Sequence, residues 1–105
     1  MASNPIAIPA DLIELLGDAA LSLPELARAC RVTVEWVHER VDAGVLAPDS
    51  GHGATEWRFA CATLVRARRL ADLEHTYEAD PQLAALAVDL MEEVAVLRRR
   101  LHALG

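Results

Sequence analysis

Four histidines, two cysteines and sixteen carboxylates are the groups with which this chain can do chemistry. Their spacing decides which chemistry is open. His38, His52, His75 and His102 fall on separate elements, and no HExxH pair, glycine-rich phosphate loop or nucleophile elbow occurs. His52 stands between two glycines as a turn residue. Cys30 and Cys61 are far apart, without a CxxC or a nearby histidine pair, which fits small buried residues better than a disulfide or a zinc site. Glu92 and Glu93 are adjacent, so on a helix they point to different sides and cannot share one substrate. The sequence thus predicts no enzyme, no metal ligands and no cofactor. One carboxylate set differs: Glu35, Glu39 and Asp42 in "VTVEWVHERVDAG" are spaced i, i+4, i+7, which places them on one helix face opposite Val34, Val37 and Val41. Such a face either attracts a basic surface or is simply solvated.

The elements that must position this face are legible from their punctuation. Ser22 and Glu25 form a capping box, with Pro24 in the first turn, for a helix over 23–31 that buries Leu23, Leu26, Ala27 and Cys30. Thr33 caps the next helix, whose inward stripe is Val34, Val37 and Val41, and Gly44 ends it in a left-handed conformation. Two short helices joined by a tight turn have helix-turn-helix spacing. "VLAPDSGHGATEWRF" then reads as a small β-hairpin or wing, with Trp57 and Phe59 on one face and Glu56 and Arg58 on the other.

A third helix follows, with Leu64, Ala67, Leu70 or Ala71, and Leu73 or Tyr77 inward; its Arg66, Arg68 and Arg69 read as a solvated face pairing with Asp72 and Glu74. Asp80 and Pro81 open the last helix, which runs to about Leu104. Leu83, Leu90, Leu97 and Leu104 recur every seven residues, with Ala87, Val94 and Leu101 at the alternate seam position, and Leu86 and Met91 widen the apolar face. That seam packs on the third helix, on a second copy, or on both. At about 36 Å the helix is too long for one short helix of the same chain to cover, which predicts a homodimer through Leu83, Leu86, Leu90, Val94, Leu97 and Leu101.

Three segments follow from this: 1–21, an N-terminal extension, partly disordered, in which "ADLIELLG" can form a short helix stopped by Gly17; 22–79, a winged helix-turn-helix-like domain plus third helix; and 80–105, a coiled-coil-like helix. The formal charge of −6 is the wrong sign for a general nucleic-acid or anionic-membrane binder. No apolar run is long enough to span a membrane and no secretory signal is evident, so a cytoplasmic protein is expected.

The order helix-turn-helix, wing, long helix, long C-terminal dimerisation helix is that of the MerR-like winged helices, a mostly α fold. Within that group "LPELARAC", "VDAGVLAP", "EWRF", "RARRL" and "LAALAVDLMEEVAVLRRRL" resemble the chaperone modulatory protein CbpM family, over about residues 22–104. The resemblance implies a non-enzymatic, dimeric regulator that binds the J-domain of a CbpA-type co-chaperone and blocks its encounter with the heat-shock chaperone. Two stretches depart from that family: the N-terminal extension, and "EADPQLAALA", where a glycine-containing turn and helix would be expected. DNA-binding MerR-type regulators normally present arginine on the second helix, whereas here only His38 and Arg40 could serve, both flanked by carboxylates. A J-domain exposes a basic helix, complementary in sign to the carboxylate face. The expected partner-binding residues are therefore Glu35, Trp36, His38, Glu39, Arg40 and Asp42, with Trp36, Arg40 or an apolar neighbour as the hot spot. The alternative is a MerR-like DNA-binding transcriptional regulator using Arg58, Arg66, Arg68 and Arg69 on phosphates.

Overall fold

The structure, a computed structural model, describes residues 20–104. The short helix expected at "ADLIELLG" and the disorder expected before it lie outside the described residues. Four helices follow in order: α1 (Leu23–Cys30), α2 (Val34–Asp42), α3 (Cys61–Tyr77) and α4 (Pro81–Leu104).

The first two helices are fixed by their caps. Ser22 Oγ accepts from the Glu25 amide at 3.3 Å, and the Glu25 carboxylate accepts from the Ser22 amide at 2.8 Å, closing the capping box. The bond from the Ser22 backbone, and then that from its hydroxyl, hold the Glu25 carboxyl below its ordinary pKa. Arg31 ends α1 in the left-handed region at φ 59°, and Thr33 caps α2 by accepting from the Trp36 amide at 3.0 Å. Gly44, at φ 77°, reverses the chain after α2. Leu23, Leu26, Ala27 and Cys30 are buried along α1, as their spacing requires.

On α2 only Val37 is fully buried; Val41 is half-buried and Val34, expected inward, is 37% exposed. The inward side of α2 is rotated toward Trp36 and Arg40, which dock on α3 and leave Val34 at the margin.

The segment after α2 corrects a second expectation. No strand forms among the described residues, and the expected β-hairpin wing is reduced to two isolated bridges, Ser50 with Arg58 and Leu21 with Phe59. The reason lies in where the backbone groups go. Pro48 has no N–H to extend the pairing. Phe59, the residue that would continue the hairpin, spends both its groups on Leu21, at 2.8 and 2.9 Å. A turn at Gly51, φ 101°, brings its α-carbon so close to Glu56 that a side chain there would meet the Glu56 carbonyl at 2.2 Å. The result is a compact loop. Asp49 ties it to α3, accepting from the Ala60 amide at 2.7 Å and the Thr63 hydroxyl at 3.0 Å, and so supplies the cap that Ala60 lacks.

Phe59 is fully buried among Leu26, Val37, Leu46, Leu64 and Leu70, with half-buried Trp57 edge-on at 6.2 Å. On α3, Leu64, Ala67, Leu70 and Ala71 face this core, while Tyr77 is exposed and Leu73 takes the inward position. Asp80 caps α4, accepting from the amides of Gln82 and Leu83 at 3.1 Å each. The helix returns along α3 and buries Ala84 and Val88. Its heptad leucines point elsewhere: Leu83, Leu86, Leu90, Val94, Leu97, Leu101 and Leu104 are all between 45% and 86% exposed.

Candidate partner-binding surface

The α2 face is built by a division of charges between its two sides. Glu35, His38, Glu39 and Asp42 are exposed on the outer side, as the i, i+4, i+7 spacing requires. His38 Nδ1 lies 3.1 Å from an Asp42 carboxylate oxygen, and its ring rests 5.3 Å from Trp57, so the loop after α2 braces this side. Arg40 turns the other way. Its side chain is 11% exposed, its Nη2 and Nε donate to the Glu74 carboxylate at 2.6 and 3.1 Å, and its guanidinium stacks 4.6 Å above the Trp36 ring. Trp36 Nε1 donates to the same carboxylate at 3.0 Å. One α3 glutamate thus holds both side chains and fixes the rotation of α2 that sends its carboxylates outward. Of the six residues expected on this surface, the structure gathers Glu35, His38, Glu39 and Asp42 outside, half-buries Trp36 at the edge, and turns Arg40 beneath.

Glu74 was missed in the sequence, where it reads as part of a solvated face. A signal was there: it stands four residues after Leu70 and three after Ala71, on the buried side of α3, where a carboxylate needs a cation from another element. Arg66, in the arginine cluster of α3, is likewise committed. Arg66 donates to the Val45 carbonyl at 2.8 Å and meets Asp89 and Glu92 of α4 at 2.9 and 2.8 Å. Burial by itself would lower the pKa of this guanidinium, but the hydrogen bonds it donates to Glu92 and Asp89 outweigh that and hold the pKa above its ordinary value. For Arg66 the expected pairing with Asp72 and Glu74 is replaced by contacts across the α3–α4 interface. Arg58 donates to the neighbouring Trp57 carbonyl at 2.8 Å.

Cys30 and Cys61 are both free thiols. Burial pushes the Cys30 thiol up to about 12, which makes it inert as a nucleophile. Among the described residues no group of three or more histidines, cysteines or carboxylates is placed to hold a metal ion, and no helix is long and apolar enough to cross a membrane.

The comparisons with known proteins meet this geometry. The family model for MerR HTH family regulatory proteins matches residues 21–105. Chaperone modulatory protein CbpM of Pseudomonas putida (strain W619) is 35% identical over 78 residues, 74% of this chain and 76% of that protein. CbpM of Coxiella burnetii (strain Dugway 5J108-111) is 30% identical over 84 residues, 80% of this chain and 78% of that protein. The chain belongs to the CbpM family of chaperone modulatory proteins. No solved structure matches it.

α2 of this chain carries an outward acidic face, Glu35, Glu39 and Asp42, where a DNA reader would carry cations. In "EADPQLAALA" the connection between α3 and α4 is made by three residues, with Glu78 in the left-handed region at φ 50°, the conformation a glycine would adopt without strain.

Proposed function

We propose that the chain is a non-enzymatic, cytoplasmic modulator that sets the outer face of α2 against the basic helix of the J-domain of a CbpA-type co-chaperone and so blocks its encounter with the heat-shock chaperone. Glu35, Glu39 and Asp42 supply the complementary charge and His38 a polar contact, while Trp36 at the edge serves as the apolar anchor. Arg40 acts from beneath, through Glu74. Two such surfaces are carried by a homodimer joined along Leu83, Leu86, Leu90, Val94, Leu97 and Leu101. The observation that carries this reading is the inversion of charge on α2, its arginine inside and its carboxylates outside. Kinship with proteins named chaperone modulators points the same way.

The MerR-type match favours a second reading, a DNA-binding regulator. The charges oppose it. Phosphate contacts need available cations, yet on α2 the one arginine, Arg40, is held by Glu74, and of the α3 arginines Arg66 is held by Asp89, Glu92 and the Val45 carbonyl. Binding to random duplex at physiological salt should be no tighter than ~10⁻⁴ M. A mobility shift at micromolar protein reverses the ranking of the two readings.

Calorimetric titration against the CbpA-type co-chaperone tests the first. Reversing Glu39→Arg and Asp42→Arg together puts like charges against a basic surface, for a loss of about 2 kcal/mol at low salt and less at high salt, where exposed pairs are screened. Equal affinities for wild type and double variant place the surface elsewhere.

A further inference from the structure

His38 differs from the carboxylates of the outer α2 face in being held from two elements at once. Its Nδ1 lies 3.1 Å from an Asp42 carboxylate oxygen one turn on, and its ring lies at 37° to the Trp57 indole with centres 5.3 Å apart. Trp57 is itself set edge-on against the buried Phe59, so the imidazole is braced from the core outward. The contact with Asp42 places the hydrogen. An ionised carboxylate only accepts, so Nδ1 is the nitrogen that donates. In the neutral ring the other nitrogen, Nε2, then holds a lone pair; none of the hydrogen bonds among the described residues uses it, and the side chain is 46% exposed.

Charge decides what this nitrogen does. Neutral, it accepts, like the carboxylates of Glu35, Glu39 and Asp42 around it; protonated, it donates, and its positive charge offsets one of their three negative charges. The neighbouring charges are already engaged. On α2, Arg40 is turned beneath and held by Glu74; on the loop that carries Trp57, the Glu56 carboxylate accepts from the His52 amide and the Arg58 guanidinium donates to the Trp57 carbonyl. Histidine is the side-chain type that changes charge between about pH 5 and 8. The outer α2 face therefore carries one acceptor that acid turns into a donor.

We propose that His38, its hydrogen fixed on Nδ1 by Asp42, receives an N–H of the partner's basic helix on Nε2, and that protonation of the ring releases the partner. This role rests on the α2 reading under "Proposed function" and adds a condition to it: the face takes a cation at this point only while the imidazole is neutral. Asp42 then has two duties, as a charge toward the partner and as the positioning residue that keeps Nε2 an acceptor. Acid weakens the complex, and by linkage formation of the complex expels a proton.

Imidazole nitrogen NMR of the full-length protein reads the hydrogen position with no partner present. At about pH 8 the His38 ring should carry its hydrogen on Nδ1, and in Asp42→Ala the population should move toward Nε2–H. A wild-type ring with its hydrogen on Nε2 overturns the proposal. Calorimetric titration against the CbpA-type co-chaperone reads the consequence. From about pH 8 to about pH 5.5 the wild type should lose about tenfold in affinity, a modest like-charge penalty for an exposed face. Near neutrality its binding heat should vary with the ionisation heat of the buffer, because a proton is released. His38→Gln keeps an acceptor that cannot become charged, so whatever its affinity at about pH 8, that affinity should fall less than about twofold over the same range, with a binding heat independent of buffer. Equal pH dependence of wild type and His38→Gln overturns the role of His38; the α2 reading then still stands if Glu39→Arg with Asp42→Arg weakens binding at the higher pH. A wild type that fails to bind at the higher pH overturns both.

Discussion

α2 and α4 each bury one side and turn the other to solvent, but water treats the two outer sides differently. On α2 the outer residues are carboxylates and a histidine, which are well solvated and place no demand on the fold. On α4 they are leucines and valine at heptad spacing, a continuous apolar stripe that water disfavours by roughly 25 cal/mol for each Å² left open. Periodicity shows an amphipathic helix in both cases without telling which stripe meets its own chain. In α4 the side taken by α3 is Ala84 and Val88, small residues that allow close approach, and the larger heptad residues are left for another surface. A helix can therefore carry two apolar stripes with different destinations, one for folding and one for association.

The largest expected effect separates those two stripes. Val88→Arg puts a charge into a fully buried site, costs several kcal/mol and should unfold the protomer. Leu90→Arg and Leu97→Arg change residues that are 59% and 47% exposed in the protomer, so folding should survive while association is lost. Circular dichroism reads the first and sedimentation velocity the second. A wild type that sediments as a monomer at micromolar concentration removes the seam as an interface, and equal unfolding by Val88→Arg and Leu90→Arg removes the distinction between stripes.

Next in size is the anchor that orients α2. Glu74→Gln keeps the shape and still accepts from Trp36, but leaves the nearly covered Arg40 guanidinium without its counter-charge, a loss of ~3 kcal/mol in denaturant unfolding. Glu39→Gln on the outer side, where the carboxylate stands 3.7 Å from the same guanidinium, should cost less than ~1 kcal/mol. Similar losses for the two would mean that inner and outer charges of α2 are energetically alike, against the division the geometry shows.

What the sequence disclosed follows the range of the interactions involved. The Ser22–Glu25 box, the Thr33 and Asp80 caps and the turn at Gly44 are closed by residues within a few positions of each other, and each stands where local chemistry puts it. The outward placing of Glu35, Glu39 and Asp42 follows from helical period alone. The hairpin was misread because alternation at Glu56–Phe59 marks an extended segment without naming its partner, and Leu21, thirty-eight positions earlier, took Phe59. Glu74 is equally non-local, its partner Arg40 lying 34 residues away. Val34 followed the stripe but lost its place when that distant pair set the rotation of α2.

The smallest effects belong to the outer side of α2, where two opposing contributions meet at Asp42. Its carboxylate pairs with His38 one turn earlier at 3.1 Å, with side chains 46% and 67% exposed, an i, i+4 contact of ~0.2–0.5 kcal/mol at best. It also stands in the last turn of the helix, where the aligned carbonyls present partial negative charge and disfavour a carboxylate by ~0.3–1 kcal/mol. Removal of the charge in Asp42→Asn therefore gives up a weak pair and relieves a repulsion of similar size. Stability by thermal unfolding should change by no more than ~0.5 kcal/mol, with any shift upward, while affinity for the basic partner falls. A clear loss of stability would show that the His38–Asp42 pair, braced by Trp57, helps to hold the fold together, and the contrast between a solvated outer face on α2 and an unsatisfied one on α4 would be weaker than their exposures imply.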